Sequence, residues 1–309
     1  MSLSSPILPI VASTVAAATP LIYAALGETV VEKAGVLNLG IEGMMLVGAV
    51  AGFAVDLASG SATLGFIAAA VAGIALSLIF GFLTLNLQTN QVATGLALTL
   101  FGIGLSAFAG HDLAGTPIRG LKGIKIPFLS DIPVIGDLLF HYDIMVYLSI
   151  VLFLAVNWFL TKSHAGLKMR AIGESPTVAH TIGHPVIRTR YLAVMFGGAT
   201  AGIAGAYLSM VQTPMWMEGM TAGKGWIALA LVVFGTWKPL RVVCGAYLFG
   251  GVTVLQLYAQ GFGFGIPSEL LSMLPYAATI VVLVIICRDP KTILLNKPVS
   301  LGVSFHPDV

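Results

Sequence analysis

The amino-acid sequence predicts an all-α polytopic membrane protein of about nine transmembrane helices, arranged as an inverted repeat of four spans, one linking span and four more. Three observations carry this expectation. Charged residues number 28 of 309, or 9%, against about 25% in a soluble domain, too few to cover a water-facing surface of this size. Mean hydropathy is +0.97, and the 36 glycines suit membrane helices that pack closely. The remaining charges are grouped, leaving long intervals with none.

Those intervals give the spans in order. Residues 1–27, 43–55, 57–111, 144–161, 191–217, 225–237, 242–268 and 270–287 carry no Asp, Glu, Lys or Arg. About 20 apolar residues cross a hydrocarbon core, so 57–111 holds two helices. The polar cluster Asn86, Gln88, Thr89, Asn90 and Gln91 marks the turn between them. No Lys or Arg precedes Lys33, so the first interval lacks the basic flank of a signal peptide and is expected to stay as a span. The intervals 43–55 and 225–237 have 13 residues each, below a comfortable crossing length. Each follows a charged residue and a glycine, Glu42-Gly43 and Lys224-Gly225, and each is second in a run of four spans. Five spans separate equivalent helices, so the two runs are oppositely oriented. Interrupted helices of such repeats meet near the bilayer midplane.

One transmembrane domain therefore fills 1–309: a first half-repeat 1–111, an external loop 110–143, a linking helix 144–161, a cytoplasmic loop 162–190, a second half-repeat 191–287 and a cytoplasmic tail 288–309. Cytoplasmic loops collect Lys and Arg, which orients the chain. With 162–190 inside, the inner side holds Lys33, Lys162, Lys168, Arg170, Arg188, Arg190, Lys238, Arg241, Arg288, Lys291 and Lys297; only Arg119, Lys122, Lys125 and Lys224 lie outside. The N-terminus is expected outside and the C-terminus inside. Arg119, Lys122 and Lys125 against Asp112, Asp131, Asp137 and Asp143 give the external loop both signs for docking a partner.

Within 162–190 a short helix is legible. Ser175 suits an N-cap, Pro176 the first helical position and Gly183 the residue just past the end. Two turns are not stable alone, so the helix needs a support. Spacing leaves two readings equal: a knob that receives force from a soluble motor, or an ordinary loop helix. His180 and His184 sit four apart, but no acidic or Cys partner lies near and Gly183 separates them, so no metal site is expected.

Several chemistries are excluded. No GxxxxGK[ST] phosphate loop, HExxH or GxSxG occurs, so the chain has no ATPase site and no visible catalytic constellation. The net charge of +2 gives no basic footprint for nucleic acid. Cys244 and Cys287 lie in apolar stretches and are expected to be buried and inert. Every charge falls at the edge of an expected span except Glu42, which a short span would draw inward. That weakens the reading of an ion-coupled carrier, whose relays bury charges within spans, and leaves it the less favoured alternative, since backbone carbonyls can bind sodium. The polar groups left for a solute are Asn38, Glu42, Asn90, Thr94 and Trp226. Asn90 also suits a turn, and Trp226 and Trp237 suit interfacial anchors. Amides and indoles fit an uncharged solute rich in hydroxyls or nitrogen bases.

Four stretches, with the outer string 127–136, carry a family likeness: 19–45 (TPLIYAALGETVVEKAGVLNLGIEGMM), 90–106 (NQVATGLALTLFGIGLS), 166–183 (GLKMRAIGESPTVAHTIG) and 223–250 (GKGWIALALVVFGTWKPLRVVCGAYLFG). With these the chain resembles permease subunits of bacterial ABC importers in the branched-chain amino acid/ribose permease superfamily, nearest the nucleoside and simple-sugar branch. The resemblance implies a multi-pass inner-membrane permease with a second, usually non-identical permease subunit. It also implies a cytoplasmic ABC ATPase that binds ATP and magnesium, and an extracytoplasmic binding protein or lipoprotein. It places Arg170, Gly173, Glu174, Pro176, Ala179 and Gly183 on the motif that couples to the ATPase. Nucleosides are the implied solute, with ribose- or galactose-type monosaccharides the alternative.

Overall fold

The computed structural model describes residues 7–121, 123, 141–261, 267, 270–271, 273–287 and 296–306. Their regular structure is helical, apart from one isolated bridge between Pro117 and Met215. The external string 127–136, with Lys122, Lys125, Asp131 and Asp137, lies outside the described residues, as do Arg288 and Lys291.

All nine expected spans are present as helices. Helix α1 (Ile7–Lys33) buries its apolar residues from Ala18 onward, and Thr14, Thr19 and Thr29 return their hydroxyls to carbonyls four residues back. It stops where Gly35 adopts φ 84° and donates its N–H to Glu32 O, a glycine helix stop. Helix α2 (Ile41–Ser59) ends at left-handed Gly60. Helix α3 (Ala62–Gly81) runs into one π turn at Phe82–Asn86, and α4 (Gln91–Gly110) starts under the Asn90 side chain, which accepts from Ala93 N. Helix α5 (Ile144–Lys162) is capped by Asp143, α6 (His164–Glu174) by Ser163 and α7 (Pro176–Thr181) by Ser175. Helix α8 (Val186–Tyr207) also ends in a π turn, Leu208–Gln212; α9 (Lys224–Phe234), α10 (Pro239–Gly261) and α11 (Leu274–Cys287) follow.

Seven of these are long and apolar enough to cross a membrane: α1–α5, α8 and α10, three of them counted with the short turn that follows. The 11 residues of α9 span about 16 Å, roughly half of a 30 Å hydrocarbon core, as its short uncharged interval predicts. The matching expectation for 43–55 is corrected, because α2 has 19 residues and buries both Glu42 and Asp56. Charge intervals underestimate a helix whose carboxylates are held inside the protein.

Packing is tightest around α1, α2, α3 and α8. Gly48 on α2 and Gly73 on α3 leave no room for a Cβ against Gly202 and Gly198 of α8, so backbones touch along small-residue faces. Helix α8 packs on α3, and α10 packs on α1. These two contacts exchange when the first four spans are swapped for the last four. The core runs through this cluster and reaches α5, α6 and α9.

Candidate functional site

Two features stand out: buried carboxylates that hold α9 at both ends, and a helical knob at the basic end of the bundle.

Helix α2 begins deep in the protein because residues 34–40 plunge inward. Asn38, fully buried, makes an Asx turn there: its side-chain oxygen accepts from Gly40 N at 3.0 Å, and its amide nitrogen donates to Met44 Sδ at 3.5 Å. Glu42, one residue into α2, meets the start of α9. Its Oε1 accepts from Thr221 Oγ1 at 2.5 Å and Gly223 N at 2.8 Å, and its Oε2 accepts from Gly225 N at 2.6 Å. Only glycine fits at 225, where a Cβ would lie 2.7 Å from Glu42 Cα. A carboxylate from the first turn of α2 thus caps the N-terminus of α9, and a positive helix end stabilises such an anion.

The far end of α9 is pinned as well. Thr236 and Trp237 turn the chain with φ of 50° and 54°, and buried Trp237 donates its indole N–H to Glu32 Oε2 at 2.6 Å. Glu28, one turn back on α1, accepts from Asn38 N at 3.3 Å. Glu28, Glu32 and Arg190 are each at most 1% exposed. This corrects the expectation that Glu42 alone among the charges lies inside. α1 continues through Lys33 instead of ending at residue 27, which carries its last acids inward. Trp237 is likewise no interfacial anchor, whereas Trp226 is 50% exposed on α9.

The other sequence-derived pathway residues divide. Asn38 and Glu42 are brought to the α2–α9 crossing, with Trp226 next to Gly225. Asn90 and Thr94 sit in the α3–α4 turn, where Asn90 caps α4 and Thr94 Oγ1 lies 2.8 Å from Thr89 Oγ1. Gln91, beside them, takes Leu37 N on its Oε1 at 2.8 Å, so the turn braces the plunging loop. Cys244 is exposed on α10, against the expectation of burial; the Cys287 side chain lies outside the described set.

At the basic end, α6 and α7 meet at Ser175, whose Oγ accepts from Val178 N, and Gly183 ends α7 with φ 86°. The helix covers Pro176–Thr181, one residue short of its expected extent. Arg170 is partly buried, and Glu174 and Gly183 are exposed. Gly173 and Ala179 turn inward: a Cβ at Gly173 would lie 2.2 Å from Lys33 O, and Ala179 packs with Ile172, Val186 and Phe305. What the motif did not single out is an exposed apolar pair, Val178 and Ile182, 59% and 67% exposed. They lie four apart, so one face of a polar-loop helix presents bare aliphatic surface. An apolar cavity of about 520 Å³ opens beside α6, between α1, α5 and α8, with Lys168 and His184 among its lining. No group of three His, Cys, Asp or Glu side chains suits a metal ion among the described residues.

A bundle with a half-membrane helix pinned between two others, and an apolar knob on its basic end, defines a multi-pass membrane transport protein. The chain matches the family model described as "Branched-chain amino acid transport system / permease component" over residues 10–283, and it belongs to that family of ABC transporter permeases. It is 39% identical to a putative glucose ABC transporter permease protein of Haloferax volcanii, over 96% of this chain and 97% of that one. It is 33% identical to a guanosine ABC transporter permease protein of Bacillus subtilis, over 89% and 90%. A nucleoside ABC transporter permease protein of Lactococcus lactis is 32% identical over 89% and 90%. A second guanosine permease of B. subtilis matches at 27% over 85% and 78%. No solved structure matches.

Proposed function

We propose that this chain forms one wall of the translocation path for nucleosides in an ATP-binding cassette importer, and that a separate ATPase drives it through α7. The observation that carries the driving role is the exposed Val178–Ile182 pair on a capped helix whose inner face, Ala179, is sunk into the bundle. A lever needs both: apolar surface for a partner and a rigid root. The root includes Gly173, so Gly173, Ala179 and Arg170 act from within, while Glu174 and Gly183 face the ATPase and Pro176 fixes the start of α7.

Sidedness follows from charge: Lys33, Lys162, Lys168, Arg170, Lys238 and Arg241 gather where α6 and α7 protrude, which supports placing that end in the cytoplasm. The exchange of α3–α8 for α10–α1 packing supports the inverted repeat. The pathway runs past the α2–α9 crossing, with Asn38, Glu42 and Trp226 nearest to it and Asn90 and Thr94 one shell behind.

A nucleoside is uncharged, and the crossing has no free helix end to offer an anion: helix N-termini attract anionic groups, but Glu42 already occupies that of α9. The guanosine and nucleoside relatives support nucleosides; the glucose relative, with the higher identity, supports the second reading of a monosaccharide. Two permeases of one B. subtilis guanosine system both resemble this chain, which supports a non-identical second permease subunit, and an extracytoplasmic binding protein completes the importer. The test is uptake by the assembled importer in proteoliposomes with guanosine and glucose in competition. Guanosine uptake that unlabelled glucose leaves intact supports the nucleoside reading; the reverse pattern overturns it in favour of sugar.

A further inference from the structure

The root of the coupling helices is fastened by a stretch outside their own motif. Residues 296–306 return across the basic end of the bundle and touch five separate elements. Asn296 O accepts from Lys33 Nζ at 2.6 Å at the end of α1. Ser300 donates both its N–H, at 3.0 Å, and its hydroxyl, at 2.7 Å, to the carbonyl of Gly173. Phe305 O accepts from Gln88 Nε2 at 3.3 Å in the α3–α4 turn, and its ring meets His180 of α7 edge-on, centroids 5.5 Å apart.

Arg190 explains why this stretch has one place to go. Its guanidinium is 1% exposed, and it donates to Ala34 O at 3.2 Å, Ser300 Oγ at 3.1 Å and Val303 O at 3.3 Å. A buried cation is tolerated only while its donors are met, and two of these three acceptors belong to 296–306. Lifting the stretch would strand the charge, so docking is close to all-or-none. The Ser300 hydroxyl is the junction: it accepts from Arg190 of α8 and donates to Gly173 of α6. The missing Cβ at Gly173 lets that carbonyl and the end of α1 share the space.

We propose that residues 296–306 are a strap that makes α6, α7 and the end of α1 one rigid body, with Arg190 and Ser300 as its positioning residues. A push on α7 then moves Glu32 and, through its bond to Trp237, the end of α9, instead of being absorbed by bending at Ser175. The inference rests on the reading of α7 as the coupling helix.

The experiment compares wild type, Ser300→Ala and Ser300→Thr in the full importer in proteoliposomes, recording solute imported per ATP hydrolysed for each assembled complex. Hydrogen exchange of 296–306 is followed in parallel. Loss of one hydrogen bond to a buried charge lowers the docked-to-free ratio about tenfold or more. Ser300→Ala is therefore expected to raise strap exchange by about that factor and to lower solute per ATP, with ATP hydrolysis maintained. Ser300→Thr, which keeps the hydroxyl, restores both. Wild-type solute per ATP in Ser300→Ala, or equal losses in Ser300→Ala and Ser300→Thr, overturns the strap. The underlying reading is tested separately: if Val178→Asp with Ile182→Asp leaves the ATPase bound, α7 is not the coupling helix and that reading fails, whatever Ser300 does.

Discussion

At the residue scale, Glu42 is the most consequential side chain outside the coupling segment, because one carboxylate satisfies three donors at the start of α9. Glu42→Ala strands two backbone N–H groups and a hydroxyl in the interior, each costing about 1–3 kcal/mol. The thermal midpoint of the purified permease should fall sharply, with uptake lost. Trp237→Phe shrinks the indole to a phenyl ring and removes the N–H that bonds Glu32, at about 1.5–3 kcal/mol or more, whereas Trp226→Phe, half exposed on α9, should stay within about 0.5 kcal/mol. Thermal unfolding of the three variants side by side checks the ranking. Glu42 was legible in the sequence as an acid drawn in by its span. Glu28 and Glu32 were not, because reading charge as the edge of a helix assigns every acid to water. Their burial depends on Trp237 and Asn38 arriving from distant positions, and no local pattern announces that.

At the element scale, α7 was readable from three residues, Ser175, Pro176 and Gly183, each with a backbone role that sequence alone assigns. Its function-bearing face was less visible, since Val178 and Ile182 look like ordinary apolar residues until the helix is seen standing off the bundle. Replacing both with Asp should abolish co-purification of the ATPase while moving the thermal midpoint little, because neither side chain is in the core. Gly183→Ala places a side chain at φ 86° and should cost about 1 kcal/mol, with weaker coupling from a frayed α7. For Glu174→Lys, exposed beside the knob, uptake is expected to fall with receptor binding intact. A bulky residue at Gly173 would instead report on packing against α1, where even a Cβ meets Lys33 O. Helix α9 was legible as short from its 13-residue uncharged interval, but α2 was not legible as long: Asp56 ended that interval although its side chain is buried.

At the scale of the whole molecule, the charge intervals predicted all nine helices, since the cost of burying charge in hydrocarbon is the strongest constraint on such a chain. The pinning of α9 between α1 and α2 was beyond their reach, since it depends on pairs up to 205 residues apart. Together these support the proposal of a conduit moved from its basic end by a separate ATPase. The most direct test reconstitutes the purified chain alone, and separately the complete importer, in sealed vesicles and measures concentrative uptake of guanosine. The chain alone, under proton or sodium gradients, should accumulate nothing, and the importer should accumulate solute only when ATP is present on the side of α7. Accumulation by the chain alone, or ATP working only from the opposite face, would contradict the account.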